Sequence, residues 1–175
     1  MMKKFISILL CVAALFGLAA CGVPRPGTVL RKLEPYLPAD AWGHFSQFDK
    51  EILENGDTLY DWHEPITEGG EETAQKIECV FSKDGLTHYV YKNYFFQLSE
   101  PGEPLTMDGA ASMAKNFARD FLPGGEKMVL KNVPGANPHI YDPGMVESWV
   151  GTQGGKTYTI SIELHIGYVL ELIVE

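Results

Sequence analysis

The five histidines, His44, His63, His88, His139 and His165, are the first residues to consider for chemistry. No two stand at the i, i+4 spacing that places a pair of zinc ligands on one helix face. Asp61-Trp62-His63-Glu64 is the densest group of possible ligands. On a strand, Asp61 and His63 share a face. That arrangement could begin a metal site, but the spacing supplies no third ligand, and a solvated strand edge explains the same residues. His139 and Asp142 flank Tyr141 in a stretch rich in Pro and Gly. Polar loop groups there could bind a ligand or simply make turns. Cys79 sits in Ile77-Glu78-Cys79-Val80-Phe81, which alternates like a strand and suits a buried core thiol. A nucleophilic thiol needs a nearby base, and the sequence marks none. There is no Gly-x-Ser-x-Gly elbow and no phosphate loop. Glu68, Glu71 and Glu72 read as a solvated loop. No catalytic residue, metal or cofactor is assigned.

Binding is the other chemistry the residues offer. Tyr89, Tyr91, Tyr94, Phe95 and Phe96 crowd one strand-like segment. Alternation puts Tyr89 and Tyr91 on one face. Tyr94 and Phe96 share a face, with Phe95 opposite. The segment is either a central strand covered on both sides or an aromatic platform for a peptide or glycan. On the platform reading the binding residues are Tyr89, Tyr91, Tyr94 and Phe96.

The N-terminus has its own chemistry. Met1-Met2-Lys3-Lys4 precedes an apolar run from Phe5 to Leu18. As a helix this run spans about 21 Å, short of the roughly 30 Å hydrocarbon core of a bilayer. A removable export signal fits that length better than a permanent span. The run ends Leu18-Ala19-Ala20-Cys21, which resembles the lipobox of bacterial lipoproteins. Small residues at 19 and 20 suit a narrow peptidase cleft, and the Cys21 thiol is the atom that would take the lipid. The resemblance implies residues 1–20 as signal peptide, lipidated Cys21, and attachment to the extracytoplasmic face of a bacterial cell membrane. Cys11 leaves with the signal, so Cys79 alone keeps a thiol and no internal disulfide forms.

The elements that must position these residues follow from periodicity. Gly22 to Thr28, with Pro24, Pro26 and Gly27, reads as a tether of at most about 25 Å. A single domain, 29–175, follows. Short helices, broken by Pro35 and Pro38, are expected across Val29–Phe48. Strands are expected at Thr58–Trp62 and Thr73–Phe81. After the Lys83-Asp84-Gly85 turn, another runs from Leu86 to Leu98. Ala110, Ala111, Ala114, Phe117, Ala118 and Phe121 make the stripe of an amphipathic helix over Thr106–Leu122. Thr106 is its N-cap and Asp108 favours the positive end. Strands are then expected at Lys127–Val133, at Met145–Val150 (closed by Gly151), at Thr157–Leu164 and at Tyr168–Val174. This order predicts an α+β fold: an antiparallel sheet with one main helix, about 106–122, packed on a face.

The stretch from about Thr73 to Glu175 resembles the PepSY-type and YcdB/YcdC-like modules of exported bacterial proteins. The likeness rests on the Lys83-Asp84-Gly85 hairpin, the helix opening Leu105-Thr106-Met107-Asp108-Gly109-Ala110-Ala111, its continuation Ala114-Lys115-Asn116-Phe117, and the closing meander. The Gly-acidic phrase common after the last strands of such modules is absent. The resemblance implies a module that regulates peptidases or binds envelope partners, and it brings no catalytic residues.

Composition narrows the classes further. The chain has 175 residues, and loss of the first twenty leaves 155, one ordinary domain. Loss of Lys3 and Lys4 moves the formal charge from −9 to −11. That balance argues against a nucleic-acid partner, which would want a basic stripe. An apolar fraction of 45% argues against a disordered chain. Three functions stay open. The first is a tethered, non-enzymatic binding or regulatory module with a protein or peptide partner, marked by an exposed apolar patch or an edge strand able to accept another. The second is a small envelope enzyme, marked by a pocket where His63, His139 or His165 meets carboxylates. The third is a purely structural lipoprotein. The first is preferred.

Overall fold

Residues 23–39, 41–65, 75–92, 103–139 and 145–175 are described in a computed structural model of the protein. The lipobox with Cys21, Glu68 to Glu72, Tyr94, Phe95, Phe96, Tyr141 and Asp142 lie outside the described residues.

Helix α1, Pro26–Leu33, opens on proline, whose missing N–H is one that a first helical turn leaves unbonded in any case. Arg31 and Lys32 in its last turn suit the negative end of the helix dipole. Pro26 to Thr28, expected as the end of the tether, are therefore helical. Single 3-10 turns follow at Glu34–Tyr36 and Ala41–Gly43. Strand β1, Gln47–Ile52, comes next, where no strand is expected. All six of its residues are exposed, so no buried face imprints an alternating pattern on its sequence.

Strands β2 (Thr58–His63), β3 (Lys76–Ser82) and β4 (Gly85–Lys92) continue the meander. Helix α2, Met107–Phe121, is capped by Thr106, whose side-chain oxygen accepts the Gly109 amide at 3.1 Å. After it come β5 (Lys131–Asn132), β6 (Val146–Gln153), β7 (Lys156–Glu163) and β8 (Tyr168–Val174). The eight strands form one sheet in the order β1-β2-β3-β4-β8-β7-β6-β5, every pair antiparallel. The described residues thus form an α+β protein with an eight-stranded antiparallel sheet and two helices. β8 returns to pair with β4, which leaves β1 and β5 at the edges.

One continuous core joins sheet and helices. Tyr60, Trp62, Ile77, Cys79, Phe81, Tyr89, Ile160 and Leu172 from the strands are buried with Val29 and Leu33 of α1 and Ala110, Ala114, Phe117 and Ala118 of α2. The Phe117 ring lies 5.4 Å from that of Tyr89 and 5.2 Å from that of Tyr36. Burial on this scale, at about 25 cal/mol per Å² of apolar surface, is the main term stabilising this core.

Three further expectations change. The strand expected over Lys127–Val133 shrinks to Lys131–Asn132, because Gly125–Lys127 takes a 3-10 turn. Gly151 lies inside β6 instead of closing it. A Cβ there would sit 2.8 Å from both Met128 and Leu130, so the glycine admits close packing. Tyr89 and Tyr91 share a face as expected, but it is the core face: they are 0% and 1% exposed.

Candidate functional site

Among the described residues, the β1 edge is an exposed surface with the features of a binding site. β1 and β2 are joined by Leu53 to Asp57, where Gly56 adopts φ +84°, a left-handed conformation that glycine alone takes at no steric cost. The Leu53 amide donates to the Asp57 carbonyl at 2.9 Å, and the Gly56 amide donates to the Leu53 carbonyl at 2.8 Å. The Leu53–Asp57 pair sets the phase of the ladder. Antiparallel pairs alternate between bonded and non-bonded. Gln47, Asp49 and Glu51 therefore turn their backbone groups toward β2, while Phe48, Lys50 and Ile52 turn theirs away from it. Among the described residues β1 pairs with β2 alone.

The side chains of this edge divide by face. Phe48, Lys50 and Ile52 stand opposite Trp62, Tyr60 and Thr58. The Phe48 ring is 5.4 Å from Trp62 and 5.7 Å from Tyr60, and Tyr60 is 5.7 Å from Phe81. Phe48 is thus the outer end of a row of rings that runs back into the core. It remains 41% exposed, and Ile52 61%. On the other face lie Gln47, Asp49 and Glu51. Lys50 and Glu51 make no ion pair among the described residues.

His63 ties this edge to the sheet. Its Nδ1 lies 2.8 Å from the Glu64 carbonyl and its Nε2 3.1 Å from Asp49 Oδ2. Burial works against the charged imidazole, but the Glu64 carbonyl, the Asp49 carboxylate and the nearby Asp61 outweigh it and raise the pKa. Glu64 also pairs with His44, at 2.6 Å, and accepts the Gln75 amide. Further along the same face, Lys76 bridges Asp61 and Glu78, and Lys92 meets Glu78. Asp61 and His63, which share a strand face as expected, are thus members of ion pairs. No group of three or more His, Cys, Asp or Glu among the described residues is placed to hold a metal ion.

A second polar cluster lies across the sheet. The buried Asn137 donates through Nδ2 to Ser161 Oγ at 2.8 Å and to Glu171 Oε2 at 2.7 Å. Its Oδ1 accepts the His139 amide at 2.8 Å. Ser148 and Ser161 hydroxyls are 3.2 Å apart. His139 Nδ1 donates to Glu171 Oε1 at 2.9 Å, from a side chain 63% exposed. A carboxylate that holds a histidine by Nδ1 is the orienting half of a proton-transfer site. No hydroxyl or thiol among the described residues hydrogen-bonds His139, so none of them supplies the nucleophile half. Asn137 and Glu171 are absent from the sequence-level candidates, because an Asn between prolines reads as turn chemistry.

The remaining candidates take structural places. Cys79 is fully buried, and burial pushes its thiol pKa up, away from nucleophilic use. His88 is half-buried; burial lowers its pKa against the opposing charge of Glu171 and Glu78. The backbone amides of His165 and Ile166 donate to the buried Glu163 carboxylate at 3.0 and 2.7 Å, which fixes the β7–β8 turn. Tyr89 and Tyr91 offer no surface to a partner, and Tyr94 and Phe96 lie outside the described residues. A cleft of about 120 Å³ under Pro24, Val29, Lys32, Phe81, Leu86 and Phe121 includes none of the histidines. No helix of the described residues is long and apolar enough to cross a membrane. No protein-family model matches the chain, and no curated protein and no solved structure is significantly similar to it.

Proposed function

We propose that this chain is a lipid-anchored, extracytoplasmic binding module without catalytic activity, and that it takes a protein or peptide partner by strand addition at β1. The observation that carries the reading is the edge itself: six consecutive exposed residues, paired on one side, with Phe48 and Ile52 displayed. An extended segment can satisfy the outward backbone groups of such an edge and add side-chain contacts. In this reading α2 is the amphipathic layer over one sheet face, with Ala110, Ala114, Phe117 and Ala118 inward. The lipobox resemblance supports attachment through Cys21 to the outer face of a bacterial membrane. The hairpin–helix–meander order from β3 to β8 is compatible with a PepSY- or YcdB/YcdC-like module, whose implied role is peptidase regulation.

A second reading, a small envelope hydrolase, has the Glu171–His139 pair behind it. It lacks a nucleophile at that pair among the described residues, so binding is preferred.

Two experiments test the proposal. Cys21→Ser should shift the protein from the membrane to the soluble fraction and abolish palmitate labelling; unchanged fractionation and labelling refute the anchor. A photo-crosslinking residue placed at Ile52 in intact cells should capture a discrete partner. The same residue at Val129, exposed 73% but remote in sequence from the edge, should not. Equal capture from both positions refutes the β1 site.

A further inference from the structure

We infer that the strand accepted by β1 reads apolar–basic–acidic–basic–apolar over five residues, and that it does not come from a second copy of this chain. The inference rests on the strand-addition reading and gives it a chemistry. Residues directly opposite one another across a ladder lie on the same face, and like charges there are destabilising while opposite charges and apolar pairs stabilise. An incoming strand therefore meets Phe48, Asp49, Lys50, Glu51 and Ile52 one by one. Its best residues are apolar at both ends, basic opposite Asp49 and Glu51, and acidic opposite Lys50. The pattern is the same read in either direction, so it suits a parallel or an antiparallel partner.

Self-pairing fails on the same rule. In an antiparallel pair of two copies related by a twofold axis normal to the sheet, some residue of β1 faces itself. An axis at Asp49, Lys50 or Glu51 sets two like charges against each other, and an axis at Gln47, Phe48 or Ile52 avoids that only by pairing at most three residues of β1 with the other copy. Only the Lys50 register stacks Phe48 on Ile52 of the other copy, and it also sets Asp49 against Glu51 twice. The edge thus disfavours its own copies in every register that pairs most of the strand while remaining open to a complementary strand, a common means of keeping edge strands from aggregating.

The test uses the full chain and three short peptides. One carries Val-Lys-Glu-Arg-Ile between threonines, and a second has the same composition ordered Val-Glu-Lys-Arg-Ile. Their equal net charge removes any bias from long-range attraction to an acidic protein. The third is the first peptide N-methylated at every residue of the Val-Lys-Glu-Arg-Ile run, so that neither of its edges can pair with β1. The first peptide should bind at least about fivefold tighter than the second, and Lys50→Glu should erase that preference. Lys50 is exposed, so this change leaves the core intact. Residue-resolved amide exchange should slow at Phe48, Lys50 and Ile52 on binding and stay constant at Asp49 and Glu51. Equal binding of the first two peptides, with that same protection pattern, overturns the charge code and leaves strand addition standing. Absence of binding by any peptide, binding that survives N-methylation, or binding without protection at those three amides overturns strand addition and the code with it.

Discussion

His63 and Asp49 join β2 to the exposed strand β1 through a contact that requires a charged ring. Both nitrogens of His63 face acceptors, the Glu64 carbonyl and the Asp49 carboxylate. A neutral imidazole has one N–H, so both bonds exist together only in the imidazolium. The raised pKa agrees with that geometry.

The contact predicts a pH dependence of definite sign. A histidine whose folded pKa exceeds its unfolded value stabilises fully below about pH 6.5, and the contribution is lost as pH rises through the folded pKa. His63 should titrate by NMR above the ordinary histidine value, and Asp49→Asn should bring it down. The urea midpoint of the parent should fall between pH 6 and pH 8.5 by more than that of Asp49→Asn. A His63 titration at or below the ordinary value refutes the imidazolium.

Asn137 offers a sharper contrast between two substitutions. Asn137→Ala leaves Ser161 and the buried Glu171 short of a donor, at a cost of about 1–3 kcal/mol. Asn137→Asp puts a second carboxylate against the buried Glu171, and like charges in contact there repel. Its deficit at neutral pH should exceed that of the alanine variant and shrink as pH falls and a carboxyl regains a proton. Urea unfolding at pH 7.5 and pH 5 measures both. A deficit of Asn137→Asp that does not change with pH contradicts the Glu171 contact.

Thr106 tests the start of α2. Its oxygen caps the Gly109 amide, so Thr106→Ala should cost about 1 kcal/mol and lower Tm by about 2–4 °C. Thr106→Ser, which keeps the oxygen, should fall well short of that loss.

The order of most strands was legible because one face of each is buried. Ile77, Cys79 and Phe81 alternate inward, and so do Tyr158, Ile160 and Ile162. β1 was not legible, since a strand exposed at all six positions shows no alternation. The polar residues between the apolar ones on β7 and β8 misled in a different way. Ser161 and Glu171 look solvent-facing by alternation, yet both are buried because Asn137 lies against them. Alternation placed Tyr89 and Tyr91 together but did not fix their side of the sheet. Tyr89 and Tyr91 went to the core because β8 pairs with β4 and makes it a central strand, while among the described residues the exposed ring belongs to Phe48.

By itself the sequence determined the types of element, their order from Thr58 onward and the acidic balance of the chain. These follow from local rules: side-chain alternation, capping, turn residues and charge. Which strand became an edge, which tyrosines were covered and which carboxylates met histidines was decided by tertiary structure alone. Those outcomes depend on pairings such as β4 with β8 and contacts such as Asn137 with Glu171, formed between residues far apart in the chain, which no local pattern records.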